Sequence, residues 1–200
     1  MTAIIILAAG LSSRMGKPKP LLAWGNESLI RHIVSRALES EVGPVAVVLG
    51  SKADLIFPEL ENLPVHVIHN ERFELGQGTS VQAGAAWAKH NQYDGAIFMT
   101  CDQPLITAQD LQKIAKSGDE FSDVIVGSRY GDTLGVPAYF GSALYVDLMQ
   151  VEPSDGAKSV MLAAKTRADV EVDEIDLPHA LQDLDTPSDY QRMTTFEGNP

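Results

Sequence analysis

The sequence has little cysteine, little positive charge and no long apolar run. Its only cysteine is Cys101, so an intrachain disulfide and a zinc site built from paired cysteines are both excluded. The apolar residues that follow Met1 lack a preceding basic stretch and stop at Gly10, too early for a signal peptide or a membrane span. These absences predict a cytoplasmic protein with no membrane partner.

Acidic residues outnumber basic ones, with 27 Asp and Glu against 15 Lys and Arg and a formal net charge of −12. Nonspecific nucleic-acid binding depends on clustered Lys and Arg that neutralise phosphates, so we expect no nucleic-acid partner. The chain has 200 residues, of which 44% are hydrophobic, and these values fit one globular domain over residues 1–200.

Short apolar segments alternate with segments of helical periodicity along the chain. An amphipathic helix is predicted between Asn26, as its N-cap, and Gly43, and another begins after the N-cap Thr107. The predicted strands are 4–7, 45–49, 65–68, 96–99, 123–127 and 170–175, and the further helices are 76–90 and 157–164, with a hairpin and a helix inside 131–155. This alternation predicts a three-layer α/β/α sandwich, Rossmann-like, with a mostly parallel sheet.

The loop after the first strand contains glycine and the densest group of basic residues, Arg14, Lys17 and Lys19. Ligands of an open parallel sheet bind beyond the carboxyl ends of its strands, where this loop lies. The loop has neither the Walker spacing nor Gly-x-Gly-x-x-Gly. We predict that Arg14 and Lys19 bind a polyphosphate and stabilise the charge of a leaving pyrophosphate. The alternative is that both are ordinary solvated surface charges.

Two acidic segments are candidates for a metal site. Asp102 follows an apolar strand directly, and a carboxylate there suits Mg²⁺ bound to phosphate oxygens; the alternative is that Asp102 caps a turn before Pro104. Asp183 and Asp185 alternate to opposite faces if the chain is extended, so one of them would face the site. The alternative there is a terminal helix with Asp185 or Thr186 as N-cap and Pro187 at its first position.

Four motifs in this order resemble the MobA-like NTP transferases, and within them the molybdenum cofactor cytidylyltransferases. The opening Leu-Ala-Ala-Gly-x-Ser-x-Arg-Met-Gly-x-x-Lys-x-Leu-Leu covers residues 7–22 and is the most specific. The others are a Gly-x-x-x-Ser-x-x-x-Gly stretch at 76–84, Asp-Gln-Pro at 102–104 and Asp-x-Asp-Thr-Pro-x-Asp at 183–189.

The resemblance implies a role for each matching residue. The catalytic residues would be Arg14, Lys19 and Asp102, with Asp102 and Asp185 on the side of a Mg²⁺ (or Mn²⁺) ion. The nucleotide-binding residues would be Leu7, Ala8, Ala9, Gly10, Arg14, Lys19, Gly78 and Ser80. The side that meets the acceptor would carry Asp155, Lys158 and Asp183.

The resemblance also implies a reaction. Leu-Ala-Ala-Gly accompanies CTP use in this family, so Ala9 favours CTP. The resemblance implies transfer of CMP from CTP to molybdopterin with release of pyrophosphate, and a molybdenum hydroxylase as client enzyme. Val136 and Lys158 depart from the family pattern on the acceptor side. The alternatives are GTP, another phosphate acceptor such as a sugar or alcohol phosphate, or a noncatalytic protein that delivers the cofactor.

Overall fold

The structure is a computed structural model that describes residues 1–10, 17–118, 121–131 and 133–196. In these ranges the strands are β1 (Thr2–Ala8), β2 (Ala23–Trp24), β3 (Glu27–Ser28), β4 (Val45–Leu49), β5 (Val65–His69), β6 (Gly95–Thr100), β7 (Val124–Tyr130), β8 (Thr133–Gly141) and β9 (Glu171–Asp176). The helices are α1 (Leu29–Glu39), α2 (Ala53–Leu60), α3 (Gly78–His90), α4 (Ala108–Gly118), α5 (Tyr145–Met149), α6 (Ala157–Ala164) and α7 (Pro187–Phe196).

The central sheet has seven strands in the order β5-β4-β1-β6-β8-β7-β9. Strand β8 pairs antiparallel with both of its neighbours, and the other pairs of the sheet are parallel. The predicted mostly parallel sheet is therefore confirmed. The carboxyl ends of β1, β4 and β6 lie side by side at one edge, where parallel sheets bind ligands.

Each face of the sheet buries its own hydrophobic core. Alternate residues of β1 point to opposite faces, so Ile4 and Ile6 pack with α1, α2 and α4, while Ala3 and Ile5 pack with α3, α5 and α6. Both sets of side chains are fully buried. The predicted three-layer sandwich is confirmed. None of the helices in the described part of the chain is both long and apolar enough to cross a membrane.

The prediction that Asn26 caps the first helix is wrong. Gly25, at φ +58°, and Asn26 form the two-residue turn of the small hairpin β2–β3, in which Trp24 pairs with Glu27. Helix α1 begins only at Leu29, after Ser28. A Gly-Asn pair between short strands is a hairpin signal, and the helical periodicity beside it concealed that signal. Helix α2 was also missed, since it is short and contains Pro58.

Helix α4 begins with a reciprocal cap, and the predicted N-cap Thr107 is confirmed. The amide of Asp110 donates to Thr107 Oγ1 at 3.2 Å, and the amide of Thr107 donates to Asp110 Oδ2 at 3.0 Å. The ring of His179 contacts the same carboxylate, with 2.9 Å between Nε2 and Oδ2. Burial alone raises the pKa of Asp110, but the hydrogen bonds of Thr107 and His179 outweigh it and leave the pKa below its usual value.

Replacing Asp110 by Asn removes the charge from this cap. We expect the free energy of unfolding at pH 7 to fall by about 1 kcal/mol, the usual contribution of an N-terminal cap. Because the pKa of Asp110 is lowered by folding, its contribution is present above the pKa of the unfolded chain, about 4, and is lost as the pH falls through the folded value. Urea unfolding at several pH values measures the difference between the two proteins.

The control is Asp54→Asn, at an exposed position in the first turn of α2. A difference between Asp110→Asn and the wild type that stays constant from pH 7 to pH 2 would contradict an ionic contribution of Asp110.

Candidate functional site

A cavity of about 390 Å³ opens where β1 and β6 end. The chain after β1 forms its floor, the residues after β6 form one wall, and the segment after β5 forms another. In the described part of the chain it is lined by Leu7, Ala8, Ala9, Gly10, Lys19, Pro20, Phe73, Glu74, Gly76, Gln77, Ser80, Thr100, Cys101, Asp102 and Asp185. The cavity thus lies at the edge of the sheet where the sequence predicts a ligand.

Lys19 lies between two carboxylates in this cavity. Its Nζ donates to Asp102 Oδ2 at 3.0 Å and to Asp185 Oδ1 at 2.7 Å. Burial lowers the pKa of Lys19, but the charges and hydrogen bonds of Asp102 and Asp185 outweigh it, so the pKa lies above its usual value. The amide of Leu184 also donates to the carbonyl of Asp102 at 2.9 Å and holds the two acidic segments together. Three predicted residues therefore meet, as an ammonium between two carboxylates.

The predicted floor residues Leu7 to Gly10 lie where β1 ends. The amide of Cys101 donates to the carbonyl of Leu7 at 3.2 Å, which joins the floor to the wall after β6. Beside the floor, a Cβ added to Gly50 would lie 2.9 Å from Ala9 Cβ and 2.6 Å from Phe73 Cβ. Ala9 and Phe73 therefore both pack against Gly50, and the absence of a side chain at Gly50 leaves room for them.

The glycine-rich turn before α3 is packed against the loop before α6. Gly76 has a φ of +131°, and a Cβ there would lie 2.0 Å from the carbonyl oxygen of Pro153. A Cβ on Gly78 would lie 2.1 Å from the carbonyl oxygen of Glu152. Of the two predicted residues here, Ser80 lines the cavity, and its hydroxyl accepts from Asn70 Nδ2 at 2.9 Å. Gly78 is absent from the described lining of the cavity. Because it has no side chain, it lets the turn before α3 pack closely against the loop before α6.

The remaining predicted residues lie around the cavity. Asp155 and Lys158 are exposed, on the loop against Gly78 and on the first turn of α6. Asp183 lies beyond the described lining; its partial burial, and then the charges of Asp102 and Asp185, raise its pKa to about 6. Arg14 lies outside the described residues.

The sequence motifs reach the wall that follows β5 only from residue 76 onward, so Phe73 and Glu74 were not predicted. Phe73, Glu74 and Gln77 line the cavity. The rule that ligands bind at the carboxyl ends of parallel strands points to this loop, but periodicity does not say which of its side chains face inward. Gln103 belongs to the predicted Asp-Gln-Pro motif, but no role was predicted for it: it is buried, and its Nε2 donates to the carbonyls of Val136 at 3.0 Å and Ala180 at 2.8 Å. Gln103 thereby ties β8 to the segment that carries Asp185.

The oxygen donors in the cavity fit a divalent cation that keeps part of its water. Within the described residues no group of three or more His, Cys, Asp or Glu side chains is arranged to hold a metal. Mg²⁺ is commonly bound by one or two carboxylates together with water and substrate phosphates, and Asp102 and Asp185 supply two. Because both already contact an ammonium, the position between them favours positive charge.

Removing the ammonium of Lys19 should strengthen metal binding by these carboxylates. In the absence of nucleotide we expect Lys19→Met to lower the Kd for Mn²⁺ about fivefold, since a unit charge about 4 Å from the metal costs about 1 kcal/mol or more. Electron paramagnetic resonance of free Mn²⁺ measures the change.

Lys17→Met is the matched control, because Lys17 is an exposed lysine of the same segment. Equal Mn²⁺ affinity in wild type, Lys19→Met and Lys17→Met would show that the two carboxylates do not form a cation site shared with Lys19.

Comparison with known proteins identifies the family to which this chain is similar. The sequence profile of the MobA-like NTP transferase domain matches residues 4–169. Over 198 residues the chain is 27% identical to the purine catabolism protein PucB of Bacillus subtilis (strain 168), an overlap of 94% of either chain. Over 124 residues it is 29% identical to a probable molybdenum cofactor guanylyltransferase of Bacillus mycoides (strain KBAB4), which covers 61% of this chain and 59% of that protein.

A similar fold is found among solved structures. The crystal structure of Rv0371C from Mycobacterium tuberculosis H37Rv, in complex with manganese, superimposes with a TM-score of 0.77 at 23% sequence identity. The match covers 97% of this chain and 98% of that one, so the whole architecture is shared.

Proposed function

Because the chain belongs to the family of MobA-like NTP transferase domains, and is therefore a nucleotidyltransferase, we propose that it transfers CMP from CTP to molybdopterin, with or without bound molybdenum, and releases pyrophosphate. The observation that carries this proposal is the contact of Lys19 with both Asp102 and Asp185 in a cavity at the carboxyl edge of the sheet. That arrangement offers an ammonium for phosphate oxygens and two carboxylates for a divalent metal.

Asp102 and Asp185 would hold Mg²⁺, or Mn²⁺, in this reaction. When bound, the metal neutralises phosphate charge and orients the triphosphate. Lys19 supplies a further positive charge in the same place, and its raised pKa keeps it protonated at neutral pH. We assign Arg14 the same role on the triphosphate, from its place in the opening motif.

The reaction needs no nucleophile from the protein. A phosphate oxygen of the acceptor is already ionised near neutral pH; it forms a bond to the α-phosphorus of CTP while the bond to the leaving pyrophosphate breaks. The thiol of Cys101 lines the cavity, but burial and the neighbouring charge of Asp102 raise its pKa well above the usual value, so it is not a thiolate. Positioning of the two substrates and neutralisation of charge supply the acceleration.

The third residue of the Leu-Ala-Ala-Gly motif supports a pyrimidine donor. Ala9 lines the cavity. A methyl group at this position leaves less room for a purine than a glycine would. This supports CTP as the donor, and GTP is the second candidate because the Bacillus mycoides relative is named a guanylyltransferase.

Molybdopterin is the acceptor that the family and this relative support best. Asp183 lies near Asp102 and Asp185, and we place the acceptor on this side of the cavity, with Asp155 and Lys158 at its border. A cofactor made in this way would pass to a molybdenum hydroxylase. A sugar or alcohol phosphate is the competing acceptor for the same chemistry.

Pyrophosphate release tests the proposal directly. The wild type should release pyrophosphate from CTP faster than from GTP, ATP or UTP when molybdopterin is present, and should do so only with Mg²⁺ or Mn²⁺. Asp102→Asn should lower the rate about 100-fold or more. The substitution removes one of the two carboxylates that would hold the metal, and the charge of the metal stabilises the transition state.

Asp173→Asn, at an exposed position on β9, serves as the control and should retain the wild-type rate. Full metal-dependent activity in Asp102→Asn would refute the assigned site. No turnover with any nucleotide and acceptor would favour a noncatalytic delivery protein instead.

A further inference from the structure

The loop that carries Asp102 is held from outside the cavity at three consecutive residues. The carbonyl of Asp102 accepts from the amide of Leu184, and the side chain of Gln103 donates to two backbone carbonyls. The third residue, Pro104, is buried, and its carbonyl oxygen lies 3.0 Å from Nε2 of His32. The proposed transfer gives His32, a residue in the first turn of α1, no role of its own.

The direction of this hydrogen bond follows from its acceptor. A carbonyl oxygen can only accept, so Nε2 of His32 carries a proton and donates it to Pro104. On the other side of the ring, Nδ1 lies 3.5 Å from a carboxylate oxygen of Glu27. Only 14% of the side chain of His32 is exposed, so the ring contacts the protein much more than it contacts solvent.

The imidazole of His32 contacts the small hairpin β2–β3 as well as the loop of Asp102. Glu27 belongs to β3, and Trp24, in β2, is buried and packs on the imidazole with 5.7 Å between the ring centroids. The chain runs from Lys19 directly into this hairpin. One side chain therefore links the segment that carries the ammonium of the site to the loop that carries one of its carboxylates.

Two further hydrogen bonds fix the hairpin in place. The amide of Leu29, the first residue of α1, donates to the carbonyl of Leu22 at 2.8 Å. The hydroxyl of Tyr190, in the helix that follows Asp185, donates to the carbonyl of Ala23. The hairpin is thus tied both to the start of α1 and to the helix after the last acidic residue of the site.

We propose that His32 is a positioning residue for the transfer, because its hydrogen bond to Pro104 sets where the Asp102 carboxylate lies relative to Lys19 and to a metal ion bound there. This inference rests on the proposed function, since it takes Asp102 as a ligand of that metal. His32 is absent from the described lining of the cavity, so it acts through the loop and not on the substrate.

The position of a metal ligand on a loop depends on the contacts that support the loop. Only Gln103 lies between Pro104 and Asp102, so a shift at one is passed on to the other. Without a donor at His32 the carbonyl of the buried Pro104 loses its partner, and the loop moves to recover one. Mg²⁺ requires nearly octahedral geometry, and a displacement of about 1 Å at a reacting centre can cost about 100-fold in rate.

Two substitutions of His32 separate the hydrogen bond from packing. Gln has an amide donor that can take the place of Nε2, whereas Leu fills the space beside Trp24 without a donor. If the ring only packs, Leu should replace it as well as Gln does, or better. The positioning role predicts the opposite order, in which Gln restores what Leu loses.

The first readout is Mn²⁺ binding to the nucleotide-free protein, measured by electron paramagnetic resonance. His32→Leu should raise the Kd about tenfold, the lower end of the effect of removing a group that orients a metal ligand, and His32→Gln about threefold or less. The second readout is pyrophosphate release from CTP at saturating Mg²⁺. There His32→Leu should lower kcat about tenfold and leave the KM for CTP within about threefold, because misplaced reacting atoms slow the chemical step.

His66→Leu is the matched control. His66 is an exposed histidine of β5 whose ring also contacts a tryptophan, Trp87, with 5.3 Å between the centroids, and it is absent from the described lining of the cavity. It should retain the wild-type Kd and kcat. The melting temperature of each variant shows that it is folded, and His32→Met repeats the test without a donor if Leu prevents folding.

The outcomes separate this inference from the proposed function. An unchanged Mn²⁺ Kd in His32→Leu, or an equal loss in His32→Leu and His32→Gln, overturns the positioning role and leaves the transferase intact. Wild type that binds Mn²⁺ but transfers no nucleotide refutes the proposed function, and the Kd values of the two variants still decide the role of His32. Wild type that binds no Mn²⁺ refutes the metal site, and the role of His32 with it.

Discussion

The site depends on one lysine that holds together two carboxylates from distant parts of the chain. Lys19 is 83 residues from Asp102 and 166 residues from Asp185, and it hydrogen-bonds to both. Two carboxylates that are close enough to contact the same ammonium repel each other unless a positive charge lies between them. The ammonium therefore keeps the acidic segment around Asp185 against the end of β6. A metal ion that binds the two carboxylates would replace the ammonium there, and the ammonium would then contact the triphosphate.

The fold holds this segment by contacts that do not belong to the cavity. Gln103, next to Asp102, donates to the carbonyl of Ala180, and His179 contacts the carboxylate that caps α4. After Asp185 the chain turns into α7, where Thr186 Oγ1 accepts from the amide of Asp189 at 3.2 Å. Thr186 is thus the cap of the terminal helix, while the side chain of Asp185 points to Lys19. The cap predicted as the alternative for this motif is therefore present at Thr186, while the role of the adjacent Asp185 at a metal stays a prediction.

Much of this arrangement could be predicted from sequence, for identifiable physical reasons. Buried β-branched runs and helical periodicity predict the sandwich, and the rule for ligands at the carboxyl ends of strands places Asp102 in the cavity. The small hairpin around Gly25 could not be separated from the helical pattern beside it. Phe73 and Glu74 were missed because the direction of a side chain in a loop follows from backbone contacts such as Gly76 against Pro153, which leave no period in the sequence.

Nucleotide binding by this cavity is measured most directly as the thermal stabilisation of the purified protein by CTP, GTP, ATP and UTP, each with and without Mg²⁺. A ligand that binds the native state alone raises the melting temperature. We expect a rise that is largest with CTP, requires Mg²⁺ and disappears in the protein that lacks the Asp102 carboxylate. If no nucleotide raises the melting temperature, this cavity does not bind a metal-bound nucleoside triphosphate.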